Sequence, residues 1–301
     1  MLRELATIAR HAGTVLAGQL AVMAFGVTDT IVAGRFSSAA LAALSVASAV
    51  FVSVYVSLMG ILQALLPIWA EQHGKGETTA IGASFRQSLY LAFGFTVLGM
   101  LVLVFPDPIL AWTEVPQSMQ ADVRAYLIVV GWALPSALFF RLYTTLNQAL
   151  GHPQLVTWLQ VGALALKVPL SIWFTFGGWG IKAQGAAGCA WATLLVDYAI
   201  AILAVILMRR QKLYLPLQLW QRMEAPNWRS LGAFLRLGVP AGLSILVEVP
   251  SFTLVALFVA RQGALAAASH QIAANLAAVC YMVPLSLGIA ISARVSWWRG
   301  A

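Results

Sequence analysis

The sequence predicts an all-α polytopic membrane protein with about eight transmembrane helices, and three observations lead to this fold class. Of the 301 residues, 61% are hydrophobic and only 9% are charged, whereas an ordinary soluble domain is about 25% charged. The apolar residues occur in runs of about 20 or more, which is the length that crosses a bilayer. The basic residues lie mainly between these runs, as they do in membrane proteins of defined topology.

Polar turns and glycine- or proline-rich turns separate the apolar runs. The first run continues to Gly34 with polar residues inside it, so it is too long for a cleaved signal core and predicts a retained helix. A polar turn, 73–77, ends the second run, three prolines within 106–117 follow the third, and the tight turn 151–153 follows the fourth. The sequence GGWG at 177–180 ends the fifth run. The predicted helices cover 12–34, 43–69, 85–105, 123–146, 154–176, 186–208, 235–260 and 267–293.

The longest connection, 209–231, carries five basic residues and one acid, with leucines and tryptophans between them. This composition predicts a segment at the membrane surface. It also marks a boundary between two helical bundles. We therefore predict a six-helix lobe over 1–208, an inter-lobe loop over 209–234, and the start of a second lobe over 235–301.

Lysine and arginine are distributed unevenly between the two sets of connections. The set that contains both termini and the loop 209–236 holds most of them, while the other set holds Arg35, Arg124, Lys182 and Arg261 beside three acids. Basic loops stay in the cytoplasm, so both termini are predicted to be cytoplasmic. The net charge of +8 would also suit nucleic acid, but its placement in membrane loops argues against such a partner.

Ionisable residues inside the predicted spans point to transport. Asp29, Lys167 and Asp197 each lie within an apolar run, where a charge costs about 2.5–3.5 kcal/mol. Such residues usually face a cavity, an ion or each other. We predict that Asp29 binds a coupling cation, a proton or the charge of a drug. The structural alternative is an ion pair with Lys167, for which Asp197 is a competing partner.

Glu248 is the strongest single candidate for coupling. It lies near the middle of the seventh predicted helix, between Pro240 and Pro250, and prolines free backbone carbonyls that can face a cation. Phe252 is one turn further along on the same face and could offer its ring to an organic cation, or simply pack.

Gln271 and Asn275 are four residues apart on the eighth predicted helix. Such a polar pair can line a cavity or hydrogen-bond between helices. We predict that Gln271 lines the cavity. For Asn275 both roles, lining the cavity and hydrogen-bonding between helices, stay open.

An enzyme acting on lipid or prenyl substrates is the rival class. It would need paired aspartates for a diphosphate-bound Mg²⁺ or a zinc motif, and the sequence has neither. Cys189 and Cys280 form no CxxC pair, which predicts packing rather than a metal or redox site. We expect no enzyme activity and no cofactor beyond a coupling ion.

Four segments carry a resemblance to a known family. They are GQLAVMAFGVTDTIVAG (18–34), LKVPLSIWFTFGGWGIKAQGAAGCAWAT (166–193), GVPAGLSILVEVPSFTLVALFVA (238–260) and AAASHQIAANLAAVCYMVPLSLGIAISARVS (266–296). Together they resemble the multidrug and toxic compound extrusion (MATE) family in its NorM-type bacterial branch. The resemblance covers nearly the whole chain.

The resemblance implies twelve helices in two six-helix lobes around a central cavity that opens alternately to each side. It implies efflux of cationic drugs across a bacterial inner membrane in exchange for Na⁺ or H⁺, and we expect a monomer in the lipid bilayer. It adds Ser171 and Tyr281 to the cavity residues. Near the proline of the fifth helix, relatives often carry Asn, whereas this chain has Lys167 and Ser171.

The chain ends at Ala301, where the ninth helix of that family would begin. Two alternatives to drug export therefore stay open. One is a flippase for lipid-linked precursors, which would need a strongly cationic cavity and for which only Lys167 is available. The other is a shortened product that does not transport.

Overall fold

A computed structural model describes residues 2–112, 117–178, 180, 182–260 and 264–301. In this part of the chain the regular structure is ten α-helices and one 3₁₀-helix. The α-helices are α1 (Leu2–Phe36), α2 (Ser38–Gln63), α3 (Leu65–Gly74), α4 (Thr78–Val104), α5 (Asp107–Trp112), α6 (Gln117–Ala149), α7 (Pro153–Phe176), α8 (Ala186–Arg210), α9 (Trp228–Ala260) and α10 (Ala264–Gly300). The 3₁₀-helix spans Lys212–Leu217.

The predicted fold class is confirmed, and the observed helices extend beyond most predicted ends. Within the described residues, seven helical segments are long and apolar enough to cross a membrane. The second predicted helix is interrupted at Ala64, which separates α2 from α3. Pro67 has no N–H to donate to the Gln63 carbonyl, which accounts for a break there. The proline-rich connection after α4 contains the short helix α5, which we had predicted as a loop.

The helices run alternately between two faces of the molecule. The face where α1 begins is called the N-terminal face here, and the other is the opposite face. Helix α6 is the central element, because it is the most buried span and packs on α2, α4 and α8. Helix α7 packs between α1 and α8, which brings the predicted ionisable residues of these three helices to one interior region.

One side of the connection that follows α8 packs on the helical bundle. The sequence had predicted a segment at the membrane surface, without this packing. Tyr214 and Leu217 are each only 2% exposed. Arg86 is buried inside α4 and donates to the Gln218 carbonyl at 2.7 Å and to the Glu224 carboxylate at 2.5 Å. Leucine and tryptophan side chains on the other side remain exposed, as Leu215, Trp220 and Trp228 show.

Further hydrogen bonds fix this connection to the N-terminal face of the bundle. Gln87 donates to the Ala225 carbonyl at 3.0 Å and accepts from the Asn227 N–H at 2.8 Å. The Tyr214 hydroxyl donates to Asn147 Oδ1 at 2.8 Å, and burial raises the pKa of Tyr214. The connection is therefore part of the first bundle rather than a free linker.

Helices α9 and α10 contact the first bundle close to the N-terminal face. Helix α9 packs on α2, where a Cβ on Gly238 would come within 2.6 Å of the Ile61 side chain. Helix α10 packs on α3 so closely that a Cβ on Gly74 would lie 2.0 Å from the Trp297 carbonyl. Arg294 of α10 forms two hydrogen bonds of 2.7 Å with the Glu4 carboxylate of α1. These contacts close the N-terminal face between the two groups of helices.

Candidate functional site

A buried ion pair joins α1 to α7 in the interior of the first bundle. Lys167 Nζ lies 3.0 Å from Asp29 Oδ2, and the two side chains are only 1% and 10% exposed. The sequence had left Asp29 and Asp197 as alternative partners for Lys167. The structure selects Asp29 for the direct contact, while Asp197 on α8 is half-buried and within electrostatic range of both.

Hydroxyl groups complete the hydrogen bonding of this pair. Ser171 Oγ donates to Asp29 Oδ1 at 3.1 Å, and Lys167 Nζ donates to Thr193 Oγ1 at 2.6 Å. Thr193 in turn donates to the carbonyl of Cys189 at 2.9 Å. Because each charged atom has a polar neighbour, the cost of burying the two charges is reduced.

Local helix geometry explains why these groups converge. Lys167 and Ser171 are four residues apart on α7, and Cys189 and Thr193 are four apart on α8, so each pair shares one helix face. Pro169 lies between the two α7 residues and removes one backbone hydrogen bond of that helix. The polar faces of α7 and α8 thus point toward Asp29.

The pair also has apolar and aromatic neighbours that sequence reasoning had not assigned. Lys167 Nζ lies 5.6 Å from the centre of the Phe25 ring. Tyr126 of α6 is 4% exposed and within electrostatic range of Asp29, Cys189 and Asp197. No motif marks Tyr126, because its role depends on the packing of α6 against the other helices.

Another buried cation, Arg141, was missed. It lies in α6, is 6% exposed, and donates through Nη2 to the side-chain oxygen of Gln63. The signal was available, since Arg141 interrupts the apolar run of the fourth predicted helix. Our expectation that Lys167 is the only interior cation was wrong.

The second group of helices contributes Glu248 and Tyr281. Glu248 of α9 is half-buried and lies within electrostatic range of Tyr281 of α10, which is 46% exposed. Phe252, Gln271 and Asn275 belong to α9 and α10, but their side chains lie outside the described residues. The structure thus brings together two of the five predicted residues of this region.

The two observed arrangements suit cations in different ways. At Asp29 an ammonium group of the protein already occupies the position next to the carboxylate. At Glu248 a carboxylate and an exposed phenol face each other across two helices. Among the described residues, no group of three His, Cys, Asp or Glu side chains could hold a metal ion.

The fold defines a multi-pass helical membrane protein with an ion pair in its interior. The MatE family model matches residues 15–173, which is more than half of the chain. The chain therefore belongs to the MatE family.

Named relatives agree with this assignment. The chain is 36% identical over 291 residues to a probable multidrug resistance protein NorM of Aromatoleum aromaticum, covering 97% of this chain and 63% of that protein. It is 30% identical over 301 residues to the multidrug resistance protein PmpM of Pseudomonas aeruginosa, covering 100% of this chain and 62% of that protein. The chain thus spans less than two thirds of the length of these relatives.

Solved structures show the same fold. The MATE transporter NorM-NG, solved in a complex that includes a monobody, superposes with a TM-score of 0.76 at 25% identity, covering 96% of this chain and 63% of that one. The eukaryotic MATE transporter AtDTX14 superposes with a TM-score of 0.84 at 19% identity, covering 100% and 66%. The chain resembles proteins named as transporters, not as enzymes.

Proposed function

We propose that this chain works in a cation-coupled antiporter that uses Na⁺ or H⁺ to export cationic drugs and other toxic organic compounds across the bacterial inner membrane. The N-terminal face would lie in the cytoplasm. The observation that carries the proposal is the buried Asp29–Lys167 pair within a bundle of the MatE family. The names of relatives as multidrug resistance proteins support the substrate class.

The net charge of the Asp29–Lys167 pair would change when Asp29 is neutralised. While Asp29 is ionised, Lys167 is neutralised by the contact at 3.0 Å. When a cation or proton from the opposite face neutralises Asp29, the ammonium loses its counter-charge in a site of low dielectric. Lys167 would then repel an organic cation bound in the same protein, which favours release of that cation to the opposite face.

The second carboxylate provides a place for the organic cation. Glu248 is half-buried, and the exposed ring of Tyr281 lies beside it. A carboxylate next to an aromatic face attracts an organic cation by charge and by cation–π interaction. Asp29 would therefore bind or respond to the coupling ion, and Glu248 would bind the drug.

The closed N-terminal face supports an orientation for this cycle. The Glu4–Arg294 pair and the close contact at Gly74 hold α10 against α1 and α3. An arrangement closed on this side suits release to the opposite side. Uptake of the drug from the cytoplasm would require these contacts to separate.

The flippase alternative is less well supported. Arg141 adds a second interior cation, but the cavity beside it is only about 10 Å³, which is enough for a water molecule and not for a diphosphate. The arrangement at Asp29 is a neutral pair rather than a free positive charge.

The test is resistance of a drug-sensitive bacterial host that expresses this chain. We expect the host to tolerate more ethidium, and we expect Asp29→Asn to remove the gain. Asp122→Asn is the matched control, because Asp122 is an exposed carboxylate at the start of α6. No gain from the parent chain, at a normal level in the membrane, would instead favour the non-transporting alternative. Full resistance from Asp29→Asn would contradict the role of the pair.

A further inference from the structure

The connection between α8 and α9 exposes basic and apolar side chains on the same short segment. Every basic residue of 209–231 is exposed, namely Arg209, Arg210, Lys212, Arg222 and Arg229. Between them, Leu215, Trp220 and Met223 are 66%, 50% and 46% exposed. Positive charges interspersed with exposed apolar groups are typical of a segment that lies at the boundary between lipid headgroups and acyl chains.

The acid of this segment does not neutralise the exposed positive charges. The Glu224 carboxylate accepts a hydrogen bond of 2.5 Å from Arg86 of α4, which is buried. Residues 209–231 all belong to the described part of the chain, and none of their basic side chains forms an ion pair with another described residue. The segment therefore keeps its positive charges available to an anion.

Two contacts place this segment beside the end of a membrane-spanning helix. Helix α8 is long and apolar enough to cross a membrane, and Arg209 lies in its last turn. The Trp220 indole N–H donates to the Met208 carbonyl at 3.5 Å, and the Arg209 guanidinium carbon lies 4.5 Å from the centre of the Trp220 ring. Tryptophan and arginine side chains at the end of a spanning helix lie at the depth of the lipid headgroups.

The stacked arrangement suits Arg209 to bind a phosphate. Toward the described residues, Arg209 forms neither an ion pair nor a side-chain hydrogen bond, while the Trp220 ring lies against its guanidinium. A planar guanidinium can bind two oxygens of one phosphate through parallel N–H donors. The exposed half of Trp220 offers an apolar surface to the acyl chains attached to that phosphate.

The opposite side of the segment is fixed to the bundle, so the site is formed before a ligand arrives. Tyr214 and Leu217 are buried, and the Tyr214 hydroxyl donates to Asn147 Oδ1 at 2.8 Å. Gln87 of α4 binds the backbone of Ala225 and Asn227. A segment that is already ordered loses little conformational freedom when a lipid binds to its exposed side.

We propose that Arg209 and Trp220 form a binding site for the phosphate of an anionic phospholipid at the N-terminal face, and that the other basic residues of 209–231 attract the same lipid at longer range. Each basic residue close to an anionic membrane surface strengthens the attraction roughly fivefold. Phosphatidylcholine has the same phosphate but carries a cationic choline, which these basic residues repel. The site is separate from the proposed antiport, because the lipid stays bound at the surface and is not transported.

Native mass spectrometry of the purified chain tests the site, with phosphatidylglycerol and phosphatidylcholine present in equal amounts in the detergent micelles. We expect the parent chain to retain phosphatidylglycerol in preference, and Arg209→Gln to retain roughly fivefold less of it with phosphatidylcholine unchanged. Arg35→Gln is the matched control, because Arg35 is an exposed arginine in the last turn of α1 at the opposite face. Both arginines are exposed, so the melting temperatures should equal that of the parent in micelles that contain only phosphatidylcholine.

Two results of this comparison would overturn the site. One is a parent chain that retains the two lipids equally. The other is an equal loss of phosphatidylglycerol in Arg209→Gln and Arg35→Gln, since any arginine at a helix end would then attract the lipid equally well.

The stacked tryptophan is tested in the same way. Trp220→Leu keeps an apolar side chain but removes the ring beside Arg209, so we expect roughly two- to fivefold less bound phosphatidylglycerol. Trp228→Leu is the control, because Trp228 is 80% exposed at the start of α9. Unchanged binding in Trp220→Leu would contradict the stacked site.

A competition experiment distinguishes a lipid from a free phosphate. Glycerol 1-phosphate carries a phosphate but has no acyl chains to lie against Trp220. We expect it to leave phosphatidylglycerol bound when both are present at the same concentration. Complete displacement by glycerol 1-phosphate would show that the site binds a soluble phosphate, and the proposed lipid site would be wrong.

Discussion

Lys167 Nζ lies 3.0 Å from Asp29 Oδ2 inside the bundle. Ser171, which is 142 positions from Asp29 in the chain, donates to the other carboxylate oxygen. The protein thus places its own ammonium where a free cation would otherwise neutralise Asp29. Since Lys167 is only 1% exposed, the charge has no access to bulk water and depends on this contact. Changes at either residue therefore have consequences for stability as well as for transport.

We expect the two residues to be strongly coupled in stability. Lys167→Met should cost about 3–5 kcal/mol because it leaves the Asp29 carboxylate buried without its partner. The double variant, Asp29→Asn with Lys167→Met, should lose less free energy of unfolding than the two single variants lose in sum. Thermal unfolding in detergent measures this cycle. The exposed pair Glu71–Lys75 is the control and should show a coupling of about 0.5 kcal/mol or less. Additive losses at Asp29 and Lys167 would show that the contact contributes nothing, and the cycle should then be repeated with Asp197.

Lys167 should weaken the binding of sodium at Asp29 in the parent chain, because its ammonium group already neutralises the carboxylate. Lys167→Asn removes the ammonium and adds an amide oxygen that can face a sodium ion beside the carboxylate. We expect this variant to melt at a higher temperature in sodium chloride than in choline chloride at the same ionic strength. At a sodium concentration of 100 times the dissociation constant, binding would raise the free energy of unfolding by about 2.7 kcal/mol. Lys167→Met is the control, since it removes the charge without adding an oxygen. A sodium effect of equal size in the parent would show that the site is open to free cations.

Glu248 should matter for activity more than for folding. Glu248→Gln keeps the shape of the side chain and its place near Tyr281, but removes the negative charge that would attract an organic cation. A lost charge-assisted contact of about 1.5–3 kcal/mol corresponds to a loss of roughly tenfold or more in transport rate. Ethidium resistance at equal membrane level measures the effect. Glu77→Gln, at an exposed residue of the turn before α4, should leave resistance unchanged. Unchanged resistance in Glu248→Gln would exclude a role of this carboxylate in binding the organic cation.

The orientation in the membrane can be tested by labelling from outside the cell. In chains carrying Cys280→Ser, cysteines are introduced at Gln117 and at Gln218, which are both exposed. Gln117 begins α6 at the opposite face, and Gln218 follows the 3₁₀-helix at the N-terminal face. Because basic loops stay in the cytoplasm, an impermeant thiol reagent should label only Gln117→Cys in intact cells. Both should react after the cells are opened. Labelling of Gln218→Cys alone in intact cells would reverse the proposed direction of transport.

The apolar runs determined the fold class and the approximate extent of eight helices, because a segment of about 20 apolar residues has no stable alternative to helix in a bilayer. The same runs identified Asp29, Lys167, Asp197 and Glu248, since a charge in such a run is conspicuous. Only the tertiary structure decided that Lys167 contacts Asp29 directly, because Asp197 lies at a similar depth and the choice depends on how α7 rotates against α1 and α8. It alone placed Tyr126 within electrostatic range of Asp29 and Arg141 beside Gln63, since these positions result from packing around α6 and not from any local pattern. It also showed that the 3₁₀-helix and the residues after it bind to α4, because hydrogen bonds between residues more than 130 positions apart cannot be read from composition.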